Sequence, residues 1–453
     1  MPPVIFLNSC RLSIHFMKTN SLLFIFLFTI GQLMLSFSSM AQFKNIKLDE
    51  QTADDHICEP SIAINPRDPK NIVAASVLNN IYFTKDGGIT WQKKEVQSAH
   101  GVHGDPALIA DSRGNFYFFH LSDPTGGKGG YESEKLDRIV VQYSGDGGET
   151  WSEGESIGLN SPKDQDKQWP AIDMKGNLYV TWTQFDKYGD TDPNCQSNIM
   201  ISTSKNGKKW SEPRQLSQTP GNCIDDDNTA EGAVPAVTFD GKMFVTWANQ
   251  GKIYMDRSFD GGNMWLTNDL AIAEQPGGWD LKIPGHDRSN GMPVLMTDKS
   301  KGHYRGCLYL AWADQRKGEN DTDIWFIRSS NYGDNWSSPA RVNNDAPGKH
   351  QYLPWMTVDP VTGIIYILYY DRSSYDDLQT DVYLAYSSDG GLSFKNVKVS
   401  EKPFVPTDTS FFGDYVNIAA YNGIVTPVWA RMDNGKTSVW TAVIKQEDLA
   451  AIK

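Results

Sequence analysis

Beyond residue 41, no stretch of this chain keeps a 3.6-residue hydrophobic period, so the sequence offers no sustained amphipathic helix. Positive charge is scarce. Lys and Arg number 42 against 55 Asp and Glu, a net charge of −13 that repels nucleic acid and anionic membrane. Cysteine is sparse too, with five in 453 residues, and none has zinc-ligand spacing. No nucleophilic-serine motif, phosphate-binding loop or HExxH helix is present, and no EF-hand spacing. The one long apolar run, Leu22 to Leu35, follows Met17-Lys18 and ends in the small residues Ser39-Met40-Ala41. It reads as a cleavable secretory signal over residues 1–41, not a membrane span, with 1–16 an upstream mis-start. The remainder, 42–453, is then one exported domain, secreted or periplasmic and monomeric, with a net charge of −15. In that compartment Cys195 and Cys223, which flank one repeat, can pair, whereas Cys58 and Cys307 are expected to be free thiols.

What the chain does have is a short turn written six times. Tyr143-Ser-Gly-Asp146-Gly-Gly-Glu-Thr-Trp151 is its clearest copy, and the others end at Trp91, Trp210, Trp265, Trp336 and Phe394. The steps between these aromatics are 60, 59, 55, 71 and 58 residues, a period that marks an array of like units. In each copy an Asp or Asn turns back onto backbone N–H groups, and Gly supplies the positive φ of a tight hairpin.

Three strand-like runs precede each turn and a polar fourth follows. The first often opens on Pro, as in Pro60-Ser-Ile-Ala-Ile and Pro170-Ala-Ile, where no ladder donor is lost. The second is apolar, as in Leu178-Tyr-Val-Thr-Trp and Leu308-Tyr-Leu-Ala-Trp. Four antiparallel strands per repeat make one blade of an all-β propeller. After the sixth turn come three further strands and no fourth. Phe43-Lys-Asn-Ile-Lys-Leu-Asp-Glu50 matches Phe394-Lys-Asn-Val-Lys-Val-Ser-Glu401, the fourth strand of the sixth repeat. The mature N-terminus is therefore expected to complete a seventh blade and close the ring, with six blades the alternative.

The turns resemble the Asp-box, or BNR, repeat of the sialidase superfamily, Ser-x-Asp-x-Gly-x-Thr-Trp, and the likeness covers most of residues 43–447. It implies a propeller carrying a glycan site, in which three arginines grip a substrate carboxylate, a Tyr paired with a Glu is the nucleophile, and an Asp is the acid/base. The family's Phe-Arg-Ile-Pro signature is absent; Glu59-Pro60 stands in its place.

Propeller geometry brings the loops before first strands and after second strands to one face. On that face, Asp105, Glu231, Asp287 and Asp414 are the candidates for proton transfer, with Tyr370 as the candidate tyrosine. Arg288, Arg316 and Arg372 would hold a substrate anion, with Asp314, Asp371 and Gln351 beside them. The competing reading is that these acids cap strands and hold loops. No cofactor is required; a Ca2+ held by Asp105 and Glu231 is permitted by the oxygen-rich loops. The partner is a glycan, bound either by an exported glycoside hydrolase acting on terminal sugars or by a non-catalytic binding propeller.

Overall fold

Seven antiparallel sheets follow one another along the chain in this computed structural model, which describes residues 43–52, 57–125 and 136–452. The expected leader lies outside the described residues. Blade 1 is built from Ser61–Ile64, Ile72–Ser76, Asn80–Thr84 and Gln92–Glu95, hydrogen-bonded in that order. Blades 2 to 6 repeat the pattern, and their first strands are Gly104–Ala110, Asp164–Ile172, Glu231–Val237, Val294–Thr297 and Gln351–Val358. Blade 7 takes Asn417–Tyr421, Ile424–Asp433 and Lys436–Thr441 from the end of the chain. Its fourth strand is Ile46–Glu50, paired antiparallel so that Ile46 faces Thr441 and Glu50 faces Ser438. The first strands touch in sequence, 1 to 2 through 7 and back to 1, so the ring is a closed seven-bladed propeller.

The layers follow from composition. Second strands are mainly apolar, and Leu308–Asp314 and Ile365–Asp371 are buried at every position. Their fifth residue is Trp182, Trp247 and Trp312 in blades 3 to 5 and Tyr369 in blade 6, all buried between sheets. Fourth strands are outermost and mostly polar, Leu270–Glu274 of blade 4 excepted; Gln92–Glu95 is exposed along its length. Large aromatic and β-branched side chains suit this half-flat packing, and each fully buried Ile or Phe contributes about 1.5–3 kcal/mol.

The repeated turns join third to fourth strands at the far end of blades 1 to 6. In the second, Asp146 Oδ1 accepts from the N–H groups of Glu149 and Thr150 at 3.1 and 3.0 Å, and Trp151 Nε1 donates to Gly148 O at 3.1 Å. Gly148 has φ of 97°, and a Cβ there would meet Val73 of blade 1 at 2.9 Å. Asn71 of blade 1 also donates to Gly147 O at 3.0 Å. The turn thus fastens one blade to the previous one.

Two details refine the sequence reading. Gln446–Ala451 forms a helix, too short to show a hydrophobic period, with Leu449 buried. Cys195 and Cys223 are bonded, with Cα atoms 5.7 Å apart, while Cys58 and Cys307 are free and buried.

Candidate functional site

Where the first strands begin, the backbone is bent. Register shifts fall between Gly104 and Ala107, Asp166 and Trp169, Glu231 and Val234, and Tyr352 and Trp355. Each extra residue takes a left-handed conformation: Asp105 (φ 52°), Lys167 (φ 52°), Gly232 (φ 72°) and Leu353 (φ 49°); Glu59 at φ 50° is the equivalent in blade 1. Such bulges re-aim side chains at a rim. Here they do two things at once.

First, they gather charge. Lys167 Nζ lies 2.8 Å from Asp414 Oδ2, 3.4 Å from Asp105 Oδ2 and 3.9 Å from Asp166 Oδ2. Arg288 forks onto Asp414 through Nε (2.8 Å) and Nη2, and its Nη1 reaches Asp225 Oδ2 at 3.1 Å. Tyr188 donates to the same Asp225 oxygen at 2.7 Å, and Trp279 Nε1 donates to Asp225 Oδ1 at 2.7 Å. Glu59 accepts from the Asp414 N–H at 3.1 Å. This contact needs Gly413, whose missing Cβ would sit 2.9 Å from Glu59 Cγ. Glu231 is fully buried, and neither of its carboxyl oxygens accepts a hydrogen bond from the described residues. Acids from five blades therefore surround two cations.

Second, the residues two past a bend close the channel. Trp169 of blade 3 and Trp355 of blade 6 meet with ring centroids 4.1 Å apart, and Tyr415, just before blade 7, lies 4.9 Å from Trp169. This aromatic plug forms the floor of the charged mouth.

Burial and charge split the acids. Burial alone would raise Asp414, but Arg288 and Lys167 overcome it and hold that carboxyl well below the usual range. Burial raises Asp166 to about 7 against the pull of Lys167. Burial, reinforced by Asp225, pushes Glu231 well up; burial, reinforced by Asp105 and Asp414, does the same to Glu59. Asp287, exposed at the rim, is also raised, by the partial desolvation of its carboxyl. His286 and His350 fall to about 4 by burial and are neutral near pH 7.

Of the candidates read from the sequence, Asp105, Glu231, Arg288 and Asp414 meet at this mouth. The other two arginines do not join Arg288. Arg316 forms a salt bridge with Asp314, Nε to Oδ1 at 2.9 Å, and lies over the Trp325 ring. Arg372 donates to Thr380, Tyr352 and Pro284 O, beneath the loop that carries Arg288. Gln351 belongs to a separate network, accepting from Asn343 and donating to Asp345. Asp371 accepts from the Ser373 N–H. Tyr370 is buried among Tyr352, Phe404 and Phe412 and donates to Ala430 O at 2.7 Å, away from the charged cluster. Among the described residues no group of three or more His, Cys, Asp or Glu is arranged to hold a metal ion. The centre of the acid cluster is taken by Lys167 and Arg288.

Sequence reasoning missed Asp225, Tyr188 and Trp279, and gave no role to Lys167. Asp225 sits in the run Asp225-Asp-Asp227, which reads as a solvated acidic loop; its only clue was Cys223 two residues before it.

No protein-family model matches this chain, and no curated protein does. Among solved structures, a mutant of the α-L-arabinofuranosidase Arb93A from Fusarium graminearum in complex with an iminosugar inhibitor has a TM-score of 0.52 at 13% identity, over 90% of this chain and 98% of its own. The NanB sialidase from Streptococcus pneumoniae has a TM-score of 0.48 at 10% identity, over 91% and 98%. A protein of unknown function from Dyadobacter fermentans has 0.46 at 12%, over 88% and 99%. At these identities the likeness is one of fold.

Proposed function

We propose that this chain is an exported glycoside hydrolase that removes terminal sugars from a glycan by means of carboxyl groups at the mouth of the ring. One observation carries the reading: acids brought together from five blades are driven apart in protonation, Asp414 downward and Glu231, Glu59 and Asp166 upward. Groups pushed apart in this way are what acid/base chemistry on a glycosidic bond requires. Glu231, whose carboxyl burial pushes well up and toward its protonated form, is the proton donor to the leaving oxygen. Asp105 supplies the opposing carboxylate, since its only ion-pair partner among the described residues, Lys167, is 3.4 Å away, whereas Asp414 is engaged by both cations. Lys167, Arg288 and Tyr188 donate to sugar hydroxyls, and Arg372 positions the Arg288 loop.

The sugar is a neutral one. With Arg316 and Arg372 engaged elsewhere, Arg288 alone cannot form the three-arginine grip that a carboxylate-bearing sugar would call for. The crevice lined by Asp225, Trp279, Arg288 and Asn290 has a volume of about 20 Å³, enough for a water and too small for a sugar. Substrate therefore enters as the loops bearing Asp225 and Trp279 part. The Cys195–Cys223 bond supports export, because such bonds persist in oxidising compartments.

The aromatic plug and the dispersed arginines favour a second reading, a propeller that binds a glycan without cleaving it. Purified protein and its Glu231→Gln variant, assayed on aryl glycosides that include an arabinofuranoside and a sialoside, separate the two. Hydrolysis of a neutral glycoside that the variant loses supports the enzyme. Silence across the panel with glycan binding retained supports the binding propeller.

A further inference from the structure

On the far side of the aromatic plug the first strands enclose a second space, unrelated to the charged mouth. It has a volume of about 270 Å³, and its walls include Ile62, Leu108, Ala171 and Ala236, with Trp169 and Trp355 contributing from the plug. An apolar channel of this kind needs no charge for its own stability, yet one cation lines it. Lys299, just past the first strand of blade 5, donates to Ile172 O at the end of the first strand of blade 3, at 2.9 Å. This is its one hydrogen bond among the described residues, and an ammonium has three donors. The carboxylate that acts on it, Asp173, is already committed: it accepts from the N–H groups of Lys175 and Asn177, from Asn177 Nδ2 and from the Tyr179 hydroxyl. Burial accordingly pulls the Lys299 ammonium down to about 8, with Asp173 opposing only in part. A desolvated charge with no dedicated counter-ion is costly, and a bound anion would supply the missing partner. Apolar walls with one convergent polar group are the usual make-up of a small-molecule site.

We propose that this channel binds a small apolar carboxylate, its acid group paired with Lys299 and its hydrocarbon or aromatic part under the Trp169–Trp355 stack. The site is independent of any activity at the mouth. The competing account makes Lys299 only a brace between blades 3 and 5, with no ligand.

Isothermal titration calorimetry with 4-phenylbutyrate and its neutral amide tests this on the intact protein. The acid is expected to bind at least tenfold more tightly than the amide. The protein's own net charge of −13 works against that preference, so it must arise locally. Lys299→Gln, which keeps a donor for Ile172 O but no charge, should bring acid and amide to equal affinity. Ala236→Phe should fill the cavity and weaken both. Equal affinity of the two probes for the wild-type protein, or no heat from either at millimolar concentration, overturns the proposal whether or not the variants fold. A preference that survives in a folded Lys299→Gln protein overturns it as well.

Discussion

A single side chain, Lys167, decides whether the charged mouth can exist. It is 4% exposed and stands within 4 Å of three carboxylates, one of which, Asp414, is as deeply buried as itself. Burial disfavours its charge, but Asp105, Asp166 and Asp414 together keep it protonated. Lys167→Met would leave these acids without their common cation. Removing one partner of a buried ion pair costs about 3–5 kcal/mol, so the variant should show a lower urea midpoint by a corresponding amount. A midpoint within experimental error of wild type would mean that Arg288 alone neutralises the cluster. The acids also set a pH dependence whose sign can be worked out for Asp166. Its folded carboxyl titrates near about 7, while an unfolded aspartate titrates near about 3.9. Below the lower value both states hold the proton. Between the two, the folded state holds a proton that the unfolded state has lost, so stability falls as pH rises and levels off above the upper value. Asp166→Asn should remove that fall, which denaturant unfolding at a series of pH values would detect. Asp414 has the opposite sign: its lowered carboxyl stabilises the fold above the ordinary aspartate range and ceases to do so only in strong acid. In catalysis Glu231 is the sensitive residue. Glu231→Gln should lower kcat by about 10²- to 10⁴-fold, the usual worth of a positioned proton donor, and abolish the alkaline limb of the pH–rate profile.

At the scale of a strand or turn, the chain's repeated hairpins do the joining. Asp146 draws two N–H groups and the Thr150 hydroxyl into one turn, and Gly148 lets that turn sit against Val73 of the neighbouring blade. Asp146→Ala should cost about 1 kcal/mol, read as a small drop in urea midpoint with the slope unchanged. The Cys195–Cys223 bond spans 28 residues, which by chain entropy corresponds to about 3.6 kcal/mol. It has a second role, because Asp225 follows Cys223 by two residues and holds Arg288, Tyr188 and Trp279. Replacing both cysteines by Ser should therefore depress activity at temperatures well below unfolding; equal loss of activity and structure would confine the bond to stability. These elements also explain what could be read from the sequence. The hairpins, the Pro-led first strands and the Phe43–Glu50 match are local patterns repeated at a fixed period, so blade number and ring closure were legible. The convergence of Asp105, Glu231, Arg288 and Asp414 followed from strand order alone. The bulges did not, since Lys167 and Leu353 take positive φ without being glycine. Once a bulge shifts register, alternation no longer says which side chain faces the axis, so the Trp169–Trp355 plug was hidden. The separation of Arg316 and Arg372 from Arg288 was hidden for another reason: each is captured by groups on its own or an adjacent blade, which residue type does not reveal.

On the scale of the whole molecule, a ring has no edge only if its two ends meet. Here the join is made by eight residues near the start of the described chain, and they touch three blades. Ile46–Glu50 pairs with Lys436–Thr441 of blade 7. Asn45 and Glu401 exchange hydrogen bonds at 2.9 and 2.8 Å, tying the strand to blade 6. Asp49 accepts from the Tyr82 hydroxyl at 2.7 Å and pairs with Lys93 at 2.7 Å, both of blade 1. The strand is thus a clasp, and everything at the mouth depends on it indirectly, because Glu59 of blade 1 must reach the Asp414 N–H ahead of blade 7. Deleting residues 43–50 would leave Lys436–Thr441 as an open edge with unpaired N–H and C=O groups, a template for another chain. The shortened protein should self-associate on size-exclusion chromatography and melt over a broader range than the full chain. Adding a peptide of residues 43–52 in trans should restore a single monodisperse peak. If the shortened protein instead elutes and melts like the full chain, the seventh blade is held by its three C-terminal strands, and the clasp is dispensable.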